Sequence, residues 1–377
     1  MREDWTPAPV GSLMRLEYGQ GLTEGSRDGG SFPVYGSAGI VGWHSTAITP
    51  DGPAIIVGRK GTAGSVHWST GPCWPIDTTY FVHPTESILP RFAYFLLQSL
   101  DLPSLCAQTG VPGLNRDRVY GVRVTVPPLA EQRRIVSVLD QADATLAWAD
   151  TATRRSVDLV QALREGSFER LWMSADLRPL GELVRRVRRP IEVFGNATYS
   201  EIGVRSHGRG IFHKEPVRGL DLGNKRVFGI EPGDLVLNIV FAWERAVAVA
   251  SPEDAGRCGS HRFPTYRPRS GVDIDYVCHA LLTNRGAGLL GLASPGSAGR
   301  NRTLSQESLL KSLIPLPSLA EQRRLVTLLA AAKDAARAHE HHRAAAAQLR
   351  TSLLADLLTG QHRIPHRYDL LSMVRHD

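Results

Sequence analysis

Arginine and lysine are the residue types in this sequence whose placement best suits a binding chemistry. Eleven of them against five acids lie between Arg178 and Arg226, a surplus that nearly equals the +7 of the whole chain. Arg209 lies between two glycines, and the pair Arg59 and Lys60 lies between two more. Glycine lets a backbone come close to a phosphate or a groove edge, and arginine is the side chain that most often reads guanine. This placement predicts contact with nucleic acid.

Ten side chains are the candidates for DNA contact, and a solvated surface face is the alternative for any single one of them. Most lie on predicted loops, and loops on a rigid sheet are a common place for reading side chains. The candidates are Arg59, Lys60, Arg205, Arg209, His213, Lys214, Arg218, Lys225, Arg226 and Arg262.

The sequence lacks the motifs of several catalytic classes. It has no GxxxxGK[ST] loop, no [DNS]PP[FYW] tetrad of adenine methyltransferases, no GxSxG and no HExxH. His339 and His342 are one helical turn apart and could ligate a metal, but a third ligand is not apparent. We therefore expect no catalytic residue and no metal site in this chain.

The strongest pattern is an internal repeat. LAEQRRIV at 129–136 returns as LAEQRRLV at 319–326, an offset of 190 residues. The match extends backward, since Leu114 corresponds to Leu304 at the same offset, and a weaker echo lies near the start of each copy. Such self-similarity predicts two copies of one module.

Each copy ends in a predicted long helix. No proline occurs over 129–173 or over 319–363, and a glutamate in each first turn suits the positive end of the helix dipole. Apolar or small residues recur at alternating steps of four and three, which is a coiled-coil period. The two helices are expected to pack against each other, and the repeat favours an antiparallel pair. The predicted seam of the second helix is Leu328, Ala332, Ala335, His339, His342, Ala346, Leu349 and Leu353.

The segments before the helices are predicted to be rich in strands. Turn signals bound predicted strands at 54–57, 65–68, 235–241 and 246–250, and short amphipathic helices are predicted at 89–100 and 274–284. The expected fold is α+β, with a pseudo-two-fold internal repeat of two similar globular domains and two long helices packed as an antiparallel coiled coil.

The repeated helix starts suggest a docking surface. They are the same in both copies while the loops differ, which favours one common docking surface combined with two specificities. Charges that cap and solubilise a coiled coil are the alternative. The docking candidates are Glu131, Gln132, Arg133, Arg134, Glu321, Gln322, Arg323 and Arg324.

Composition excludes other classes. Four cysteines without a CxxC pair argue against a disulfide scaffold and against a thiolate zinc site. No apolar run approaches the roughly 20 residues that span a bilayer, and the start MREDWTPAPVG lacks a signal-peptide core. A cytoplasmic protein without membrane contact is expected.

At this point the sequence resembles the specificity (S) subunit of type I restriction-modification systems, over nearly its whole length. The motifs that carry the resemblance are PPLAEQRRIVSVLD at 127–140 and PSLAEQRRLV at 317–326, IIVGRKGTAGSV at 55–66 with IDTTYFV at 76–82, YSEIGVRSHGRGIF at 199–212, PGDLVLN at 232–238, GSHRF at 259–263, and LLADLLTGQHRI at 353–364.

The resemblance implies a non-catalytic subunit in which each recognition domain reads one half of a split, asymmetric site in double-stranded DNA. The helices would set the unread spacer and dock methyltransferase (M) subunits, and restriction (R) subunits would join them. S-adenosylmethionine, ATP and Mg²⁺ would be used by these partners, with no cofactor in this chain. The implied division is recognition domain 1 at 1–126, helical spacer 1 at 127–173, recognition domain 2 at 174–316, helical spacer 2 at 317–361 and a tail at 362–377.

Two other functions stay open from the sequence. One is a metal-dependent nuclease that acts alone, and the other is a coiled-coil scaffold that does not bind DNA.

Overall fold

A computed structural model describes residues 4–106, 113–223, 225–296, 302–362 and 364. The chain divides into two compact units, which we call unit 1 (Met1–Thr151 with His341–Asp377) and unit 2 (Ala152–Glu340). Each of the two long helices contributes one half to each unit. The domain boundaries implied by the resemblance are a different division and stay a prediction.

Unit 1 is built on a four-stranded antiparallel sheet of order β2-β8-β5-β6. The strands and helices that precede the first long helix are β1 (Thr6–Pro9), α1 (Val10–Leu13), β2 (Met14–Tyr18), β3 (Phe32–Gly36), β4 (Gly39–His44), β5 (Ala54–Gly58), β6 (Val66–Ser69), β7 (Trp74–Pro75), β8 (Thr79–Pro84), α2 (Pro90–Ser99), α3 (Arg116–Gly121) and β9 (Arg123–Val126). The first long helix, α4, is Leu129–Ser174.

Unit 2 repeats that plan with a four-stranded antiparallel sheet of order β11-β21-β18-β19. Its elements are β10 (Leu177–Pro179), α5 (Leu180–Leu183), β11 (Val184–Val187), β12 (Pro190–Ile191), β13 (Thr198–Tyr199), β14 (Ile202–Val204), β15 (Ile211–His213), β16 (Val217–Arg218), α6 (Gly219–Leu222), β17 (Val227–Gly229), β18 (Leu235–Leu237), β19 (Val247–Val249), β20 (Cys258–Ser260), β21 (Thr265–Pro268), α7 (Ile274–Leu282), α8 (Asn284–Leu292), α9 (Gln306–Leu310) and β22 (Leu313–Pro315). The second long helix, α10, is Leu319–Leu358.

Units 1 and 2 have the same strand order, and each contains an equivalent backbone hydrogen bond. Leu114 N donates to Arg59 O at 2.9 Å in unit 1, and Leu304 N donates to Ile239 O at 2.8 Å in unit 2. These two leucines are the pair that the sequence offset of 190 residues had matched. The shared bonds show that the sequence repeat is a structural repeat.

Each core joins the sheet to both long helices. In unit 1, Phe92 and Leu97 of α2 lie in one buried cluster with Leu139 of α4 and Leu354 of α10. In unit 2, Tyr276 of α7 lies in the corresponding cluster with Phe168 and Trp172 of α4 and Leu329 of α10. Neither helix is therefore stable by its own propensity alone, because each buries its apolar face within a unit.

The two long helices run antiparallel where unit 1 holds them. Arg350 Nε of α10 lies 2.8 Å from Asp143 Oδ1 of α4, and Arg343, which precedes Arg350, lies 3.6 Å from Asp150, which follows Asp143. The predicted α+β fold with two paired long helices is confirmed.

The predicted seam of α10 is right at half of its positions, since Ala332, His339, Ala346 and Leu353 are half-buried, and wrong at the other four, which are exposed. Leu328 and Leu349 are exposed, whereas Leu329 and Leu354 are buried in the cores of unit 2 and unit 1 respectively. The cause is the run of Ala and His in the middle of this helix, which gives too little hydrophobic contrast to fix the frame. On α4, the pattern of alternating four- and three-residue steps includes Ile135, Leu139 and Ala149, and these three residues are buried.

Two predicted elements of unit 2 end earlier than expected. The strand predicted at 235–241 stops at Leu237, because the side chain of Asn238 accepts from Val240 N at 3.1 Å and turns the chain. The helix predicted at 274–284 stops at Leu282, because Thr283 caps a new helix by accepting from Gly286 N at 3.0 Å.

Within the described part of the chain, no helix has both the length and the apolar character needed to cross a membrane.

Candidate nucleic-acid interface

Unit 1 brings two guanidinium groups onto one exposed tyrosine. Arg59 leaves β5 and places its Cζ 5.2 Å from the centroid of the Tyr18 ring, while Arg116, the first residue of α3, places its Cζ at 4.9 Å. Tyr18 keeps 47% of its surface exposed at the end of β2. Lys60 follows Arg59 and is also exposed. We call these four residues the unit 1 patch.

The charges of the unit 1 patch are not neutralised internally. Arg59 donates to the main-chain oxygen of Asp77, and within the described residues no carboxylate forms an ion pair with Arg59, Lys60 or Arg116. Burial raises the pKa of Tyr80, which lies under Tyr18, to about 12, so Tyr80 stays a hydroxyl. The patch therefore presents three cations and an aromatic ring to solvent.

Sequence reasoning found Arg59 and Lys60 but missed Tyr18 and Arg116. Both missed residues are distant in sequence from Gly58. The pairing of β2 with β8 and of β8 with β5 brings Tyr18 near Arg59, and the hydrogen bond from Leu114 N to Arg59 O brings the start of α3 there. One sequence signal could have located Arg116: Asn115 is a helix-capping residue type, and its side chain accepts from Asp117 N, which sets Arg116 at the start of α3.

In unit 2, three of the predicted cations line one concavity of about 490 Å³. Arg205 and Arg209 come from the loop between β14 and β15, and Lys214 follows β15. Three aromatic rings, which were not anticipated from the sequence, line it as well: Phe212, Phe241 and Phe263. Polar side chains, among them Asn238 and Glu244, complete the lining.

The loop that carries these arginines is firmly held. His207 N donates to Glu244 O at 2.7 Å, and Gly208 N donates to Arg245 O at 3.0 Å. Ser206 Oγ donates to the Glu244 carboxylate at 2.6 Å. The loop is thereby fixed to the 3₁₀ turn that follows β18.

Two more predicted cations line a second concavity of about 560 Å³ in the same unit. Lys225 and Arg226 lie there together with Arg188, which the sequence cluster contained but which was not among the ten candidates. Arg218, on β16, and Arg262, beside β20, are exposed and line neither concavity.

Three of the ten candidates are held by internal acids. His213 Nε2 lies 2.8 Å from Asp254 Oδ1, and the buried Glu201 lies 4.0 Å from Lys214 and 3.4 Å from Lys225. These three side chains serve first to balance buried carboxylates, since an unpaired buried carboxylate is costly. Within the described residues, Arg205, Arg209 and Arg226 form no ion pair and are better placed for a phosphate or a base.

The two glutamines predicted to dock a partner are internal. Gln132 is fully buried: its Nε2 donates to Ser87 O at 3.0 Å and Pro127 O at 2.9 Å, and its Oε1 accepts from Leu89 N at 2.8 Å. We call this arrangement the glutamine clamp, and remove Gln132 from the docking surface because no polar atom of its side chain is left to a partner.

Gln322 forms the same clamp in unit 2. Its Nε2 donates to Gly271 O at 3.1 Å and Pro317 O at 2.9 Å, and its Oε1 accepts from Asp273 N at 2.8 Å. Gln322 is also fully buried and is removed from the docking surface for the same reason. The repeated EQ motif thus encodes how each sheet module is fastened to its long helix.

The charged neighbours of the clamps differ between the units. Glu131 and Arg134 are buried in unit 1 and lie 3.4 Å apart, so they too are poorly placed for docking. The exposed docking candidates are Arg133, Glu321, Arg323 and Arg324. Glu321 accepts from Ser318 Oγ at 2.7 Å and from Ser318 N at 3.1 Å, and these two bonds lower the pKa of its carboxyl group.

Within the described residues there is no group of His, Cys, Asp and Glu side chains that could hold a metal ion.

Comparison with known proteins finds similarity over parts of this chain. Residues 3–152 match the model of the type I restriction modification DNA specificity domain. A Haemophilus influenzae protein whose name describes a type I restriction enzyme specificity subunit is 24% identical over 200 residues, which are 50% of this chain and 52% of that protein. A type I restriction enzyme specificity subunit of Escherichia coli is 24% identical over 140 residues, 36% of this chain and 35% of that protein. The matched regions thus span about half and about a third of these curated relatives.

The fold is also found in a solved structure. The S subunit of a type I restriction-modification system from M. genitalium aligns with a TM-score of 0.60 at 14% identity, covering 96% of this chain and 97% of that one. Residues 3–152 of this chain are therefore similar to the type I restriction modification DNA specificity domain, and the chain as a whole shares its fold with that solved S subunit.

Proposed function

We propose that this chain is the non-catalytic DNA-specificity subunit of a type I restriction-modification complex. The unit 1 patch would contact one half of a bipartite, asymmetric site, and the free cations of unit 2 would contact the other half. The observation that carries this proposal is one scaffold used twice under different exposed cations, because similar scaffolds with unlike loops suit two unlike half-sites.

The proposal assigns the contacts with DNA, to bases or to phosphates, to side chains without an internal acid. In unit 1 these are Arg59, Lys60 and Arg116, and in unit 2 they include Arg205 and Arg209. A guanidinium group held over an aromatic ring keeps its planar donors oriented, which suits bidentate contact with a guanine edge. Arg218, Arg226 and Arg262 would serve as phosphate or base contacts, while His213, Lys214 and Lys225 would support the site mainly through their contacts with Asp254 and Glu201.

The partners follow from the family and are part of the proposal. Methyltransferase subunits would dock on the exposed charges Arg133, Glu321, Arg323 and Arg324 near the helix starts, and restriction subunits would join the complex. S-adenosylmethionine, ATP and Mg²⁺ would be bound by those partners. The long helices, each shared between the two units, would set the unread spacer of the site.

The test is a methylation map of DNA from cells that express this chain with the methyltransferase of its own system. We expect one bipartite modified motif. Arg59→Ala should relax or abolish recognition of one half of the motif, and Arg209→Ala should do so for the other half. Each lost bidentate base contact should reduce discrimination about tenfold to hundredfold.

Arg337→Ala is the matched control, because Arg337 is exposed on α10 and already pairs with Asp334 at 3.4 Å. It should leave the motif unchanged. Equal loss of both half-sites in Arg59→Ala would contradict separate reading by the two units, and the absence of any new motif with the unaltered chain would overturn the proposed function.

The role of the helices has its own test. Inserting one helical turn after Leu146 of α4, together with a matching turn in α10 before Ala346, should lengthen the unread spacer while both half-sites stay the same. A motif with an unchanged spacer would contradict the role of the helices in setting it.

A further inference from the structure

The concavity of unit 2 that contains Arg205 and Arg209 combines the two surfaces that a nucleotide requires. Its cations sit beside flat rings: Arg205 Cζ lies 4.9 Å from the centroid of Phe212, and Lys214 Nζ lies 5.8 Å from that of Phe263. Phe241 adds a third ring, with 41% of its surface exposed. A base has a flat aromatic face and its phosphate is an anion, so each part of a nucleotide meets a matching wall.

The backbone at the base of the concavity accommodates the ring of Phe212. Phe212 of β15 lies over Gly203 of β14, and a Cβ atom at position 203 would stand 2.3 Å from the Phe212 ring. Only glycine lets the ring lie flat against the strand. The position of this aromatic surface is therefore fixed by the paired strands and does not depend on a flexible side chain at the protein surface.

Strained backbone occurs in the lining of the concavity, at His207, and directly after the lining residue Glu244, at Arg245. His207 has φ 61° and Arg245 has φ 62°, and within the described chain they are the two non-glycine residues with positive φ. The hydrogen bonds from His207 and Gly208 to the turn at Glu244 and Arg245 hold both in place. Backbone of this kind costs free energy and persists where the surroundings enforce it, typically at functional sites.

Polar groups for a base edge are also present. The Asn238 carbonyl accepts from Val240 N, which leaves its amide N–H groups without a partner among the described residues. Glu244 uses Oε2 to accept from Ser206, so its other oxygen can accept from an exocyclic amino group. One donor and one acceptor therefore face the same space as the rings.

A paired base cannot use such a concavity. In a duplex the bases are stacked, and a protein reaches only their edges with side chains that protrude into a groove. A base enters a recess of this size only after it has left the stack, as in proteins that bind unstacked or single-stranded nucleotides.

We propose that this concavity of unit 2 binds an unpaired nucleotide of DNA, with the base against Phe212 and Phe241 and its phosphate against Arg205 and Arg209. The inference rests on the proposed DNA-binding function and deepens it, because it adds an unpaired nucleotide to the duplex that the unit contacts. Lys214 supports the wall but remains partly engaged by Glu201.

The test compares two probes on the purified full-length chain by fluorescence anisotropy. One is a short single-stranded oligothymidylate, and the other is an abasic strand with the same number of phosphates. We expect the oligothymidylate to bind about tenfold more tightly, which is the scale of a lost base–aromatic stacking contact. Phe241→Ala should remove this difference, and Arg205→Ala should weaken both probes.

Two matched controls come from the same unit. Phe194 is a phenylalanine with 60% of its surface exposed outside this concavity, and Arg337 is an exposed arginine of α10 that pairs with Asp334. Phe194→Ala should keep the preference for the base-containing probe, and Arg337→Ala should leave the binding of both probes unchanged. Since Phe241 is exposed, its loss should not unfold the unit, and circular dichroism would verify this.

The outcomes separate this inference from the proposed function. Equal binding of the two probes, no binding of either, or a Phe241→Ala variant that behaves like Phe194→Ala would overturn the unpaired-nucleotide site. If the chain still directs methylation to a bipartite duplex motif in that case, the proposed function stands without it. A clear preference for the base-containing probe that is lost in Phe241→Ala would support the site even if no duplex motif were found.

Discussion

Units 1 and 2 attach an equivalent short helix, α2 in unit 1 and α7 in unit 2, to the long helices, but the charged residues at the contact have opposite signs in the two units. The glutamine clamp fixes the start of α2 at Leu89 N in unit 1 and of α7 at Asp273 N in unit 2. Two residues after the clamped position stands Arg91 in unit 1 and Asp275 in unit 2. Eleven residues after the clamp glutamine stands Asp143 on α4 in unit 1 and Lys333 on α10 in unit 2.

These reversed charges interact in each unit. Arg91 lies 2.7 Å from Asp140 and 3.2 Å from Asp143, and Arg350 lies 2.8 Å from the same Asp143. In unit 2, Asp275 interacts electrostatically with Lys333. The fold is common to both units, whereas the charges make α2 complementary to the helix segments of unit 1 and α7 complementary to those of unit 2. A module placed on the other unit's helices would set like charges against each other.

A second difference lies one turn further along the same helix. Six residues after the clamped position, unit 1 has Phe95, buried and covered by Arg91, and unit 2 has His279. The Nδ1 atom of His279 is buried without a hydrogen-bond partner among the described residues. Burial lowers the pKa of His279 to about 3, and Arg164 and Lys333 lower it as well. Unit 1 therefore meets the helices with an apolar ring, and unit 2 with an ionisable one.

The largest effect is expected from breaking a clamp. Gln132→Leu should lower the free energy of unfolding of unit 1 by about 3 kcal/mol, because Leu89 N and two buried carbonyls lose their partner. Gln322→Leu should cost unit 2 a similar amount, since its clamp makes the same three bonds. Hydrogen exchange measured by mass spectrometry would assign each loss to its unit.

The matched control for the clamp is Gln141→Leu, because Gln141 lies on the exposed face of α4 in unit 1. This variant should leave exchange unchanged to within about 0.5 kcal/mol. If Gln132→Leu were as stable as the control, the clamp would not stabilise unit 1, and Gln132 would again be a candidate for docking a partner.

The next effect is a pH dependence confined to unit 2. The unfolded His279 titrates near pH 6.5, while the folded pKa lies far lower, so the unfolded state takes up a proton first as the pH falls. The stability that neutral His279 maintains is present above pH 6.5 and is lost progressively toward pH 3. At pH 5 this amounts to about 2 kcal/mol, at 1.36 kcal/mol for each pH unit.

His279→Leu should remove this part of the acid sensitivity, making unit 2 resemble unit 1 at the Phe95 position. Denaturation and hydrogen exchange at pH 7 and pH 5 would measure it, with the exposed His261→Ala as the matched control. An unchanged difference between the two pH values in His279→Leu would show that another group titrates.

A smaller effect is expected from the reversed charges. Arg91→Asp should destabilise unit 1 by about 1–2 kcal/mol, because Asp140 and Asp143 then face a third carboxylate. The double variant Arg91→Asp with Asp143→Lys copies the arrangement of unit 2 and should recover part of this loss. Recovery should be incomplete, since unit 2 has Ala330 where unit 1 has Asp140, and since Asp143→Lys also places a cation beside Arg350.

A double-mutant cycle would measure this coupling. Asp117→Lys serves as the control partner for Arg91→Asp, because Asp117 is exposed on α3 and forms no ion pair with Arg91. No recovery with Asp143→Lys, or the same recovery with Asp117→Lys, would mean that the charges do not fit the module to its helices.

Much of the fold could be read from the sequence, because the repeat and the helix period are strong local patterns. LAEQ in duplicate marked both long helices, and Leu114 and Leu304 proved to be matched in the backbone as well. The role of Gln132 could not be read in this way. A polar residue on a helix looks like a surface residue until the loop before α2 is known to cover it.

The candidate site was predictable in part for a similar reason. Arg59 and Arg205 lie on loops next to glycine or strand signals, which a single sequence displays. Tyr18 and Phe241 carry no such signal, because their value depends on neighbours that only strand pairing supplies. The acids that hold His213, Lys214 and Lys225 were equally hidden, so the sequence alone could not separate these three side chains from the other candidates.

The smallest effect concerns the helix starts themselves, which differ in one residue. The second long helix begins after Ser318, which forms a capping box with Glu321: Glu321 N donates to Ser318 Oγ at 3.3 Å, and Ser318 N donates to Glu321 Oε2 at 3.1 Å. The first long helix begins after Pro128, which has neither a hydroxyl nor an N–H for such bonds.

Ser318→Ala should therefore lower the stability of unit 2 by about 1 kcal/mol, the usual contribution of a helix cap. It should also remove a dependence on acid, because the lowered pKa of Glu321 stabilises the fold above the unfolded carboxyl pKa and this contribution is lost as the pH falls through the folded value. Ser312→Ala is the matched control, since this hydroxyl makes only a long 3.5 Å bond to Ser308 O. Denaturation at pH 7 and pH 3 would measure both variants. If Ser318→Ala lost no more stability than the control, the capping box would not be needed. Packing would then fix the start of the second long helix, as it does for the first long helix, which begins after Pro128 without such a cap.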